Sequence, residues 1–205
     1  MPAEDDLTMT GAHYDPQRHH RRSIRLKGHD YTQAGAYFVA ACTWERECVF
    51  GAIAEGEMTL NEAGQMIEAE WDQSPERSPM IELDARIVMP NHFHGIIVIV
   101  GAGLVPALDG AAPALDREAP ALDGATTRVA PTVGDIVGGF KSLTTNGYIR
   151  GVRELGWPPF DKWLWQRNYY ERVIRNEREL NAVRQHIHNN PARWDTDAEN
   201  PGRRR

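Results

Sequence analysis

Apolar and polar positions follow two different periods along this chain, and the switches between them mark out its elements. Ala36 to Thr43 is an apolar run rich in aromatic and β-branched residues and predicts a strand. Val49 to Ile53 predicts a short continuation before a turn, and Met58-Thr59-Leu60 a short pairing strand. Asn61 is placed to cap a helix to about Asp72, with Met66, Ile67 and Trp71 inward. Ile81 to Met89 and His92 to Val100 predict a hairpin across the Pro90-Asn91 turn signal. Thr132 is placed to cap a helix to about Arg150, with Ile136, Phe140, Leu143 and Ile149 on its apolar side. Trp163 to Gln166 predicts a short strand, and Glu177 to Asn190 the last helix, stopped by Pro191. Strands and helices around a central antiparallel hairpin predict an α+β sheet covered on one face.

One stretch follows neither period. Pro106-Ala107-Leu108-Asp109-Gly110 recurs as Pro113-Ala114-Leu115-Asp116-Arg117 and as Pro120-Ala121-Leu122-Asp123-Gly124. A proline in every copy defeats a coiled coil, and three short copies cannot bury a core. Residues 101–131 are expected to form a flexible low-complexity loop between a strand and a helix.

Composition narrows the class. The 205 residues, 41% of them apolar, suit one domain with one core, and no run reaches the length of a membrane span. The acidic opening, Met1 to Asp6, is unlike a signal peptide. Cys42 and Cys48 form neither a disulfide framework nor a zinc pattern, so a reducing cytoplasm is expected. The net charge of −6 argues against a nucleic-acid partner, but the charge is bipolar. Arg18, Arg21, Arg22, Arg25 and Lys27 make one basic run; Lys162, Arg167, Arg172, Arg175 and Arg178 make a second. Acids concentrate between Glu55 and Asp84. Such a chain is able to turn a basic face to phosphates despite its overall sign.

The densest chemistry lies in His92-Phe93-His94. On a strand, residues two apart share a face, so His92 and His94 project together and Phe93 points into the core. Two imidazoles on a rigid strand make half a site for a divalent metal. On the last helix, Leu180, Val183 and Ile187 form the apolar stripe; His186 and Asn190, four apart, stack at its edge, with His188 toward solvent.

These residues resemble a known family. Met89-Pro90-Asn91-His92-Phe93-His94 before an apolar strand is similar to the HUH motif of single-tyrosine, insertion-sequence-200-like transposases, in particular the REP-associated tyrosine transposases. His19-His20-Arg21-Arg22-Ser23-Ile24-Arg25-Leu26-Lys27-Gly28 resembles that family's opening. Gly134 to Leu143 resembles its central basic helix. Trp165 to Glu171 and Ile187-His188-Asn189-Asn190-Pro191 resemble its C-terminal blocks. The likeness spans residues 14–194 around the 101–131 loop, leaving residues 1–13 as a disordered start and 195–205 as a polar basic tail.

The resemblance implies a ferredoxin-like antiparallel sheet, the HUH endonuclease architecture. It implies a divalent metal, Mg or Mn, on His92, His94 and Asn190, and metal-assisted transesterification of single-stranded or hairpin DNA by a tyrosine. The family pattern Tyr-Ile-x-x-Asn-Pro reads His186-Ile187-His188-Asn189-Asn190-Pro191 here, so the nucleophile position holds His186. Several readings stay open. His186 forms a phosphoramidate, or adds an imidazole to the metal, or marks a degenerate relative that binds repeat DNA without cutting. Tyr169 or Tyr170 substitutes as nucleophile, with Tyr170 the fallback. Apart from the resemblance, a metal-dependent phosphodiesterase or a nucleotide-binding protein also fits. Arg21, Arg22, Arg25, Lys27, Lys141, Ser142 and Arg167 are the candidate phosphate contacts, and Trp44, Trp163, Trp165, Tyr169 and Tyr170 the candidate base-stacking rings. No membrane partner is expected; relatives imply a monomer or a homodimer.

Overall fold

The computed structural model describes residues 34–100 and 131–203. The candidate basic arm (Arg21, Arg22, Arg25, Lys27) and nearly all of the low-complexity loop lie outside the described residues.

Strand β1 (Gly35–Cys42) leads through a short 3-10 turn into a small hairpin of β2 (Gly51–Ala54) and β3 (Glu57–Leu60). Val49 to Ile53 is thus no continuation of β1 but leads into a separate two-stranded sheet. Glu55 and Gly56, both at positive φ, make the tight turn between these strands; the right-handed strand twist favours that conformation, and glycine adopts it without strain. Asn61 then caps α1 (Glu62–Asp72), its side chain accepting from the Gly64 amide at 2.9 Å. After the short α2 (Ser74–Arg77), β4 (Ile81–Val88) and β5 (His92–Ile99) form the expected hairpin. Helix α3 (Val133–Glu154) opens on a capping box between Thr132 and Asp135. Strand β6 (Tyr170–Ile174) and α4 (Glu177–His188), capped by Asn176, complete the order.

The main sheet runs β4-β5-β1-β6, with every neighbouring pair antiparallel. The order of its elements, β-α-β-β-α-β with a final helix, is ferredoxin-like, as expected. The helices divide between its two faces, where one covered face was expected. Tyr37, Val39, Phe93 and Ile97 face the core shared with α1 and α3. Phe38, Ile96, Val98 and Ile174 face Leu180 and Ile187 of α4. All of β5 is buried, because it lies inside the sheet with both faces covered. This is why its sequence reads as a continuous apolar run rather than an alternation. Gly95 is small for a reason: a Cβ there would come within 2.6 Å of the Trp71 ring, which lies across β5 beside Phe93.

The strand predicted at Trp163 to Gln166 is only a single bridge from Trp165 to Thr43, and two further features depart from the pattern. Strand β6 was not foreseen; its alternation places Glu171, a carboxylate, on the buried side, so no apolar period shows. On α3 the inward positions run Val133, Ile136, Val137, Phe140, Thr144 and Tyr148, and Leu143 is 37% exposed. Thr144 takes that place because its hydroxyl is satisfied inside, donating to the Phe140 carbonyl and accepting from the Trp165 indole N–H.

Candidate functional site

The hairpin turn brings β5 out of Pro90-Asn91 so that His92 and His94 point to the α4 face. Helix α4 crosses that same face, held by the Leu180 and Ile187 stripe and by the Arg184–Asp84 ion pair to β4. Its end therefore delivers His186 and Asn190 to the two strand histidines. The rings of His92 and His94 lie 4.7 Å apart, and the His186 ring stacks on His94 at 5.4 Å and 25°. Asn190, 3% exposed just beyond the helix, reaches His92 closely enough to act on its ionisation.

What marks this cluster is unmet bonding capacity. Nε2 of His92, Nδ1 of His94 and Oδ1 of Asn190 are buried and no well-formed hydrogen bond satisfies them among the described residues, although Asn190 lies within reach of His92. Buried polar atoms are rarely left so, since each costs about 1–3 kcal/mol. Burial, opposed by the nearby Asp197 and Glu199 carboxylates and by Asn190, lowers the pKa of His92. Burial and the other two imidazoles hold His94 well below the ordinary histidine range. Both rings are therefore neutral, the form that donates a lone pair to a metal. Two imidazole nitrogens and one amide oxygen form a donor set that a divalent cation would satisfy. Among the described residues, no three His, Cys, Asp or Glu side chains are arranged to hold a metal. His186 therefore does not complete a three-imidazole cluster; it is solvent-exposed and flanks His94 from outside.

Residues that the sequence did not single out hold this arrangement. Asn91 is fully buried; its Oδ1 lies 2.9 Å from Nδ1 of His92, and its Nδ2 donates to the Arg46 carbonyl at 2.9 Å and the Glu199 carbonyl at 2.7 Å. The segment after α4 folds back over the site. Pro191–Thr196 form a 3-10 turn, Trp194 lies 6.0 Å from the His92 ring, and Glu199 pairs with Arg46 at 2.7 Å. Cys42, the cross-strand partner of His92, has its thiol pKa pushed up to about 12 by burial and by Glu199, so it stays protonated. In the sequence Asn91 carried a turn signal and a place in the HUH-like motif, and nothing there linked Glu199 to it.

The other candidates divide. Lys141 does not face open solvent as a phosphate contact: its ammonium donates to the Gln166 and Arg167 carbonyls at 2.5 and 3.2 Å, and burial lowers its pKa. Ser142 and Arg167 are exposed. Trp165 is core, bonded to Thr144, while Trp163 is 63% exposed. The Tyr169 hydroxyl donates to Glu171 at 2.7 Å. Tyr170 is 46% exposed, on the same sheet face as the histidines.

No family model matches this chain. A protein of Haemophilus influenzae, known only as uncharacterized, is 37% identical over 184 residues, covering 90% of this chain and 95% of that one. The chain belongs to the same family as that protein. Among solved structures, a REP-associated tyrosine transposase bound to a REP hairpin matches 84% of this chain and 74% of its own. The TM-score is 0.52 and the sequence identity 17%. The fold is thus that of a REP-associated tyrosine transposase. Among the described residues, no helix is long and apolar enough to cross a membrane.

Proposed function

We propose that this chain is a DNA-handling protein of the transposase type, which binds single-stranded or hairpin DNA and breaks a phosphodiester with the help of a divalent metal. The observation that carries the reading is the set of orphaned buried atoms on His92, His94 and Asn190. The metal, Mg or Mn, would polarise a phosphoryl oxygen and stabilise the charge that develops on it. The chain's own residues would do the rest. Asn91 fixes the tautomer and tilt of His92. Ile187 and Phe38 keep the back of the site dry. Arg167 and Ser142 are exposed and suited to phosphate contacts, and Trp163 to stacking on an unpaired base. The solved neighbour that shares the fold is bound to a hairpin, which supports DNA as the partner.

One observation favours a second reading, binding without cutting: position 186, where the resemblance implies a tyrosine, holds histidine. Titration of the metal-free protein with Mn2+ by calorimetry, with and without a hairpin-bearing single strand, tests the shared part. The wild type should bind both, and His92→Ala/His94→Ala should bind the hairpin but not the metal. Wild-type protein that ignores both ligands would overturn the proposal.

A further inference from the structure

We propose that Tyr170, rather than the residue at position 186, supplies the oxygen that attacks the phosphodiester in this chain; this rests on the DNA-cleaving reading above. Strand register makes the case. His94 of β5 pairs with Ala40 of β1, and Ala40 pairs with Tyr170 of β6, so the three form one row across the sheet. Directly paired residues in antiparallel strands share a face. Two strand spacings put the Cα atoms of His94 and Tyr170 about 10 Å apart, with Ala40 between them in the row. Phe38, in the next row, touches all three flanking rings: His94 at 5.2 Å, Tyr170 at 6.1 Å and His186 at 6.1 Å.

The phenol is also free to react. Tyr170 is 46% exposed, and its hydroxyl makes no hydrogen bond among the described residues, whereas that of Tyr169 is committed to Glu171. A phenylalanine would pack on Phe38 as well as this tyrosine does, so packing alone does not account for the hydroxyl.

The chemistry balances without another reagent. The Tyr170 hydroxyl gives its proton to solvent, the Oη–P bond forms, and the bond from phosphorus to the 3′ oxygen breaks. That oxygen takes a proton from water. The products are a 5′-phosphotyrosyl strand and a free 3′-OH, and reversal by another 3′-OH rejoins DNA.

The test incubates full-length protein, Mn2+ and a labelled single strand carrying a hairpin. It then follows the covalent adduct on denaturing gels, its survival in acid, and its position by peptide mapping. A phosphotyrosine survives acid that cleaves a phosphoramidate. The wild type should give an acid-stable adduct on the peptide containing Tyr170. Tyr170→Phe should lose about 100-fold or more of the adduct while keeping its melting temperature and hairpin affinity. An adduct that persists in Tyr170→Phe, or is acid-labile and maps to His186, overturns the proposal but leaves the DNA-cleaving reading intact. So does cleavage to a free 5′-phosphate with no adduct. Absence of any cleavage by the wild type overturns both.

Discussion

Oδ1 of Asn91 lies 2.9 Å from Nδ1 of His92, so the residue that makes the hairpin turn also decides which ring nitrogen is left without a partner. A neutral imidazole that donates from Nδ1 presents a lone pair at Nε2. The same amide also ties the turn to Arg46 and Glu199.

Asn91→Ala should therefore act twice. Loss of the outer support should weaken Mn2+ binding about 10–100-fold. Loss of the bonds from Asn91 to the Arg46 and Glu199 carbonyls should lower stability by about 1–3 kcal/mol. Calorimetry on the folded variant separates the effects; unchanged metal affinity would mean that the amide serves the backbone alone.

Phe93→Ala should do the opposite. Its ring is buried on the other face, 4.5 Å from Trp71 and 5.0 Å from Phe140. Truncation should cost about 3–5 kcal/mol in denaturant unfolding, as for other buried aromatics. Metal affinity of the folded protein should change little, because the histidines project away from the cavity. A metal affinity that falls with stability would mean that the two faces are coupled.

The Asp84–Arg184 pair should show itself in acid. The Arg184 hydrogen bond holds the Asp84 carboxyl below its usual range. The folded state thus sheds this proton at lower pH than the unfolded chain. The stabilisation is complete above about pH 4 and is lost as pH falls through the folded-state value. Arg184 is 36% exposed, so the pair contributes only about 1 kcal/mol. Asp84→Asn should lower stability by that amount at neutral pH and flatten the decline below pH 4, followed by thermal melts across pH. An identical acid limb would remove the pair as its cause.

Lys141→Ala should cost stability rather than DNA affinity. Its ammonium bridges α3 to the carbonyls of Gln166 and Arg167. The slope of log affinity against log salt for a hairpin-bearing strand should stay as in the wild type, whereas removing a true phosphate contact flattens it by about 0.7–0.9. A flattened slope would return Lys141 to the DNA surface.

Legibility in the sequence followed the locality of the signal. Asn61, Thr132, the Pro90-Asn91 turn and the β4–β5 hairpin stand where the pattern puts them, because caps and turns are written in adjacent residues. Reading His92 and His94 on one face needed only the two-residue period of a strand. Their meeting with Asn190 needed the resemblance as well, since nothing local says which sheet face α4 covers. Strand β6 escaped because an edge strand carrying Glu171 and Arg172 has no apolar alternation. Asn91, Trp194 and Glu199 escaped because their roles depend on contacts across distant sequence, up to 108 residues for the Asn91–Glu199 bond. The contacts of Lys141 with the Gln166 and Arg167 carbonyls were not legible either, because a lysine in a helix looks alike whether its ammonium meets phosphates or backbone carbonyls.

The most direct measurement is strand cleavage with and without metal. Purified full-length protein is mixed with a labelled single strand in which a short palindromic hairpin is flanked by unpaired bases, in Mn2+ and in chelator. A discrete cut beside the hairpin is expected in Mn2+, none in chelator, and none from His92→Ala/His94→Ala at equal hairpin binding. Cleavage that is indifferent to chelator or survives loss of both histidines would contradict this expectation. So would a wild type that binds metal and hairpin yet leaves the strand whole.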